Sequence, residues 1–341
     1  MKIEVLHTYA AYNNNENIRM NSSSGGLFTA FAEHIISNSG VVYGVAMSDD
    51  CYSNHFERVD TVAKLSKFRG SKYIQATIGD TYKCVQADLK KGVTVLFSGT
   101  GCQINGLKSY LRNDYDNLIC VDVVCHGVPS QKVWKKYVEY VEDKRGKLVT
   151  INFRSKETGW SDFGFKENEL FVPKDDDAFF QLFNRCYCLR PSCYHCAAKD
   201  DKKSDVTIAD FWGIENVLPE FNDNKGISLV LIRTKKGNNL FHLIKEACSY
   251  REVTYEEGIR ENSSEYVSHD KPDGRNTFFI DFERMTIPQL EKKYIKGSLL
   301  KQIVRKVKRT VKHILSGGGT AVRQRSNADY GLLFTFKKMS R

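Results

Sequence analysis

Most of the signatures that would name a chemistry outright are missing from this sequence. No stretch reaches 18 apolar residues, so no segment is long enough to span a bilayer as a helix. The opening MKIEVLHTYAAYNNNENIRM lacks the apolar run of a secretory signal, which sets the expectation of a cytoplasmic protein. There is no GxGxxG fingerprint and no GxxxxGK(S/T) loop, so the usual arguments for nicotinamide and ATP do not apply. HExxH and GxSxG are absent as well, which leaves hydrolase chemistry with little support. The run CxxCxxCxxxCP of small ferredoxins is also missing, so electrons reaching this chain would come from a separate donor.

What is present is ordinary in bulk and unusual in its cysteines. The chain has 341 residues, 41% of them apolar and 27% charged, which fits one large or two intimate soluble domains. The formal net charge of +10 favours anionic partners. Much of that excess sits in the tail, and no helix-turn-helix or aromatic RNA platform accompanies it, so nucleic acid is an unlikely partner. Ten cysteines in a reducing compartment point to metal, cluster or catalytic roles rather than disulfides. Cys51, Cys84, Cys120 and Cys248 read as small buried hydrophobes.

The remaining thiols carry more information. Cys193 and Cys196 form a CxxC pair inside CYCLRPSCYHC, and Cys102 (SGTGCQ) and Cys125 (VCHGVPS) lie roughly 70 to 90 residues upstream. Thiolates suit zinc, copper(I) and iron–sulfur clusters. A zinc knuckle normally uses two close pairs, so isolated upstream ligands favour a cluster buried between segments, with zinc or no metal left open. Cys188 is a fifth candidate and Cys186 a weaker sixth. His126 reads as a backbone-bonded turn residue and His195 as exposed.

Periodicity predicts an α/β protein with mixed sheets and crossover helices. Helices are expected over Leu27 to Ile36, 79–90, Cys102 to Leu111 and onward from Pro129. Buried strands are expected at Val41–Met47, Val93–Gly99 and Asn117–Cys125. Strands at Val149–Phe153, 163–171, Val206–Ile214 and Ile227–Thr234, with a helix over 237–248, predict a mixed second half with the cysteine-rich loop against it. Ser24 is positioned to cap the first helix. Residues 291–315 hold nine Lys or Arg and one acid, with apolar residues almost every fourth position: a basic amphipathic helix for self-docking, a partner or an anionic membrane surface.

Two loops invite an anion. Ser22, Ser23, Ser24, Gly25 and Gly26 precede a helix, so their backbone N–H groups suit a phosphate. Arg69, Ser71, Lys72 and Tyr73 place cations beside an aromatic ring, which suits a phosphate and a flat ring together. Gly99 and Thr100 form a second glycine-bearing turn, before Cys102. Asp122, Asp205 and Asp210 lie on or near strands, where structural roles are expected of them.

SSSGG, RGSKY, SGTGCQ, CHGVPS, the GW at 159–160, LRPSCYHC and VTIADFWG occur in that order. Together they resemble the coenzyme F420 hydrogenase/dehydrogenase beta-subunit family, over roughly Asn21 to Asp281 and including the late NTFFIDF. The resemblance implies a 4Fe-4S cluster on Cys102, Cys125, Cys193 and Cys196. It implies FAD near Ser22–Gly26 and the Arg69–Tyr73 loop, and electron exchange between an external ferredoxin-like donor and a two-electron substrate. It also implies a cluster-binding loop and a division at 1–95, 96–285 and 286–341. The family's turn is more usually GTPCQ, and Gly101 stands here for the proline, which loosens the backbone before Cys102. The chain resembles the short form without a fused ferredoxin module. Such forms accompany bacterial surface-polysaccharide genes, which implies a setting and not a reaction. The alternative is a non-redox binding or assembly protein with structural zinc on the same thiolates.

Overall fold

The computed structural model describes residues 5–296. Strand β1 (His7–Asn13) leads through a short helix α1 (Glu16–Met20) and the serine–glycine loop into α2 (Leu27–Ser37) and β2 (Val41–Met47). Leu27, Ala30, Phe31 and Ile35 recur on one side of α2 and are buried, which is why this segment is helical and faces the sheet. β3 (Asn54–Val59) returns antiparallel to β2, and a 3-10 turn at Val62–Phe68 precedes the two-residue β4 (Ala76–Thr77). Then come α3 (Thr81–Lys90), β5 (Val95–Thr100), α4 (Gly101–Leu111), β6 (Leu118–Val123) and α5 (Gln131–Arg145).

The second half opens with an antiparallel meander of β7 (Ile151–Ser155), β8 (Gly164–Glu167) and β9 (Leu170–Pro173). After α6 (Ala178–Asn184) and α7 (Ala197–Asp200), the chain rejoins the main sheet through β10 (Val206–Asp210) and β11 (Ser228–Ile232). It continues as α8 (Lys235–Leu243), β12 (Cys248–Val253), α9 (Tyr255–Ile259) and α10 (Arg275–Arg284).

The main sheet has nine strands in the order β12-β1-β11-β10-β6-β5-β2-β3-β4. Position 95/96 falls at the first residues of β5, inside this sheet. β10, β6, β5 and β2 are parallel neighbours. β11 opposes β10, and β1 opposes β11, so β1 points the same way as the parallel set. The carboxyl ends of β1, β2, β5, β6 and β10 therefore open on one edge of the sheet, where ligands bind open α/β sheets.

Alternation along the strands builds a core on each face. In β11, Val230 and Ile232 face the cluster that holds Phe31 and Phe241, while Leu229 and Leu231 face the one that holds Trp160 and Phe211. In β5, Leu96 joins the first cluster, and Val95 and Phe97 join a third with Ile104 and Leu107 of α4. Truncating Leu229, fully buried between two strands, to alanine would cost about 2–5 kcal/mol.

Five elements differ from the sequence expectation. β1 and β3 form in stretches for which no strand was expected. The helix expected over 237–248 stops at Leu243, and Cys248 begins β12, which pairs with β1 from Asn13↔Cys248 to Thr8↔Val253. α10 also forms without a clear periodic signal. Among the described residues no helix is long and apolar enough to cross a membrane. The basic segment expected over 291–315 lies outside the described residues from 297 onward.

Candidate functional site

Cys102 is the second residue of α4 and is exposed. Thr100 caps this helix: its backbone N–H donates to Gln103 Oε1 at 2.9 Å, and its hydroxyl lies 3.2 Å from Cys102 Sγ. Gly101 is helical, so its backbone angles would accept a proline. A Cβ there would lie 3.2 Å from Asp122 Oδ2 and 3.4 Å from Ala198 Cβ, so what glycine provides is room for α7.

Cys125 lies just past β6 and Cys193 in the 3-10 turn Pro191–His195, while Cys196 directly precedes α7. These thiols sense one another. Burial pushes Cys125 up to about 12, reinforced by the charges of Cys102 and Cys193. Cys193 is raised by burial too, with Cys196 and Cys102 adding to the shift, while the Val128 N–H, donating to its Sγ at 3.4 Å, opposes it. The Cys196 N–H donates to Ser268 Oγ at 3.0 Å. Lys199 stands beside this group. Burial depresses its ammonium, and Cys125 and Cys196 pull it back up. All ten cysteines are free thiols, and among the described residues no three His, Cys, Asp or Glu side chains converge as ligands of a single ion.

Cys186, at φ +63°, sets its Sγ 3.4 Å from His126 Nε2, and Cys188 is fully buried next to it. Burial raises both thiols, Cys186 to about 11. His126 Nε2 lies 3.2 Å from the Phe183 carbonyl oxygen, and His195 is exposed. Cys51, Cys120 and Cys248 are buried as expected. Cys84 is exposed instead, because α3 buries Val85 and Leu89 and leaves it off that stripe.

The two anion-binding candidates meet at the same edge of the sheet. The Ser71 N–H donates to Ser23 Oγ at 2.7 Å, tying the Arg69–Tyr73 loop to the serine–glycine loop. Ser22 Oγ donates to the Ile18 carbonyl and Ser24 Oγ to the Ile227 carbonyl, each at 2.7 Å. Ser24 therefore does not cap α2; that position belongs to Gly26, whose φ of +83° is left-handed. A Cβ on Gly25 would lie 2.4 Å from the Ala11 carbonyl oxygen, so the loop can pack there only as glycine. Arg69 donates to Thr29 Oγ1 at 3.2 Å. Lys72 curls onto the Arg69 and Gly70 carbonyls, and loss of water lowers it to about 8. A cavity of about 410 Å³ opens beside this loop, between Arg69–Lys72, Met47 and Phe153.

Sequence reasoning missed the residues that bind these loops together. Arg154 forms a two-pronged pair with Asp210, at 2.7 and 2.9 Å, and reaches Tyr73 Oη and the Ser23 carbonyl at 3.3 Å each. A register shift in β7 between Asn152 and Ser155 aims it there, leaving Phe153, Arg154 and Ser155 buried in succession. Its Nε is buried and finds no acceptor among the described residues. Lys156 donates to the carbonyls of Arg19, Ser24 and Lys225 at 2.7–2.8 Å. Trp160 Nε1 donates to Asp210 Oδ1 at 2.8 Å, and its ring stacks on Trp212. The available signal was two cations, Arg154 and Lys156, separated by one residue and just ahead of the GW. Asp122, accepting from Thr207, and Asp205, accepting from the Cys120 N–H and Thr234, take the structural roles expected of them.

Aromatic contacts link the thiol group to the loops. His126, next to Cys125, meets the Phe183 ring at 4.8 Å, and Phe183 meets Tyr73 at 5.1 Å.

Comparison with known proteins gives a family and a fold. Residues 8–81 match the family described as coenzyme F420 hydrogenase/dehydrogenase, beta subunit N-terminus, and residues 92–257 match its C-terminal counterpart. A solved chain of the F420-reducing NiFe hydrogenase complex from Methanosarcina barkeri shares the fold, with a TM-score of 0.55 at 16% identity, over 82% of this chain and 92% of that one. No curated protein matches the sequence.

Proposed function

The chain belongs to the coenzyme F420 hydrogenase/dehydrogenase beta-subunit family, and from that premise we propose that it is an iron–sulfur flavoprotein passing electrons between an external one-electron donor and a two-electron substrate. Cys102, Cys125, Cys193 and Cys196 hold the 4Fe-4S cluster in this reading. Ser22–Gly26, Arg69, Ser71, Lys72 and Tyr73, with the Gly99–Thr100 turn, would hold FAD. One-electron transfer is what such a cluster supplies when bound, and FAD couples it to two-electron chemistry.

The observation that carries the reading is that the match to the family's C-terminal part, residues 92–257, spans four free thiols from three separate segments, Cys102, Cys125 and the Cys193–Cys196 pair. Lys199 supports it, because its ammonium stands beside Cys125 and Cys196, where thiolate charge would accumulate. The Val128 N–H on Cys193 Sγ is a bond of the kind that tunes cluster potentials. At the other site, the partnerless buried Nε of Arg154 is a donor that a bound phosphate or flavin oxygen would satisfy. Arg154 and Lys156 then set the loop positions, and Tyr73 presents an aromatic surface.

Anaerobic purification tests this. Cys193→Ser and Cys196→Ser should each abolish the broad absorbance at about 400 nm expected of the cluster. Iron and acid-labile sulfide unchanged in both variants would refute the ligand assignment. Zinc without sulfide in the wild-type protein would return these thiols to a structural role in a binding or assembly protein.

A further inference from the structure

A second, larger cleft of about 690 Å³ adjoins the Cys193 turn, and the two loops treated above do not form it. One wall is Leu189, Arg190 and Pro191, the stretch leading into Cys193, and the Cys193 N–H donates to the Arg190 carbonyl at 3.0 Å. The opposite wall is α10, through Arg275, Phe279 and Ile280. Arg275 joins the walls: it donates to the Leu189 carbonyl at 2.7 Å and to Tyr194 Oη at 3.0 Å, either side of Cys193.

The charge of this cleft is local. Residues 297–341 contain eleven Lys or Arg and one Asp, which is the whole net charge of +10, so residues 1–296 balance. Against that neutral background two arginines and no carboxylate line the cleft. Arg190 is exposed and engages Gln75 Oε1 through Nη1 at 3.0 Å. Ile280 is 60% exposed, an apolar contact at the rim of a cationic groove.

We propose that this groove is the docking surface for a small acidic one-electron carrier protein, seated against Arg190 and Ile280 beside the Cys193 turn. The proposal rests on the redox reading given under the proposed function. An open groove with an exposed isoleucine at its rim suits a protein surface better than a small ligand, which needs most of its area enclosed. Complementary charge steers such encounters and makes them sensitive to salt. Each encounter oxidises one carrier by one electron. Two encounters supply the pair that a two-electron substrate takes up, with protons from solvent.

The test uses the anaerobically purified full chain and an acidic two-cluster bacterial-type ferredoxin. Affinity is measured by calorimetry at low and high salt, and reduced methyl viologen serves as a small reductant that needs no docking site. Arg190→Glu should weaken ferredoxin binding by about tenfold at low salt, and added salt should weaken the wild-type complex more than the variant's. Ile280→Asp should weaken it as well, while Arg251→Glu, on the edge strand β12, should not. Wild-type affinity in both Arg190→Glu and Ile280→Asp would overturn the proposal. So would a wild-type protein that viologen bleaches but ferredoxin does not bind. A protein with no iron–sulfur absorbance to bleach would instead remove the redox reading, and this proposal with it.

Discussion

Replacing Arg154 tests the site most directly, because one side chain holds its two loops and its acid together. The guanidinium is 4% exposed and takes both oxygens of Asp210, while also reaching Tyr73 and the Ser23 carbonyl. Arg154→Met leaves the Asp210 carboxylate with the Trp160 N–H as its remaining side-chain partner. Breaking a buried pair from one side costs about 3–5 kcal/mol. Asp210 keeps some contact with water at 15% side-chain exposure, so the lower end applies. In a unit of this size, about 3 kcal/mol lowers Tm by roughly 5 °C.

Arg154→Lys separates stability from ligand binding. Lysine keeps the charge but loses the planar fork and the orphan Nε. Its expected stability loss is about 1–2 kcal/mol, close to one charge-assisted hydrogen bond. If Nε meets a flavin or phosphate oxygen, FAD affinity should fall about 10- to 100-fold, since each 1.4 kcal/mol is a factor of ten. Thermal melts of the apo-proteins and fluorescence titration with FAD read the two effects separately. An Arg154→Met protein melting with the wild type would refute the structural argument. An Arg154→Lys protein binding FAD as the wild type does would refute the placement of the ligand.

Two further outcomes follow from buried groups. Burial raises the Asp177 carboxyl to about 7, with neighbouring Glu167 adding to it and Tyr137 and Arg145 opposing, so it is protonated in the fold and ionised in the unfolded chain between about pH 4 and 7. Wild-type stability should therefore fall as pH rises through that window, by up to about 4 kcal/mol, and Asp177→Asn should flatten the dependence while keeping an acceptor for the Phe180 N–H; parallel pH profiles by denaturant titration would contradict it. Phe183→Leu, which removes the ring between His126 and Tyr73, should retain iron and flavin content yet slow flavin reduction in stopped-flow mixing, and an unchanged rate would show that the aromatic contact is only packing.

The parallel middle of the sheet was legible because VVYGVAM, VTVLFSG and NLICVDVV are apolar runs bounded by turns, the pattern of strands covered on both faces. β1 was not, because two of its fully buried residues are alanines, Ala10 and Ala11, and an Asn-rich stretch follows at once. β12 was masked for a different reason. As an edge strand it keeps Arg251 and Glu252 exposed, and it emerges from a charged 3-10 turn that reads as more helix. The Ser24 cap failed because tertiary contact took its hydroxyl to Ile227, leaving the left-handed glycine to start α2.

The cysteines and the serine–glycine loop were visible as residue types, and what no local pattern could supply was their convergence. Ser23 and Ser71 are 48 positions apart, and Arg154 and Asp210 are 56. These pairs meet because β1, β2, β5, β6 and β10 end on one edge, and that common direction emerges only once the strand order is known. The β7 bulge adds the final element. In an unbroken β7, Phe153 and Arg154 would point to opposite faces, so one of them would leave the interior. The shift between Asn152 and Ser155 lets Phe153 pack on Tyr73 while Arg154 reaches Asp210. Placing one residue out of register thus holds the aromatic surface and the cation of the candidate flavin site on the same side.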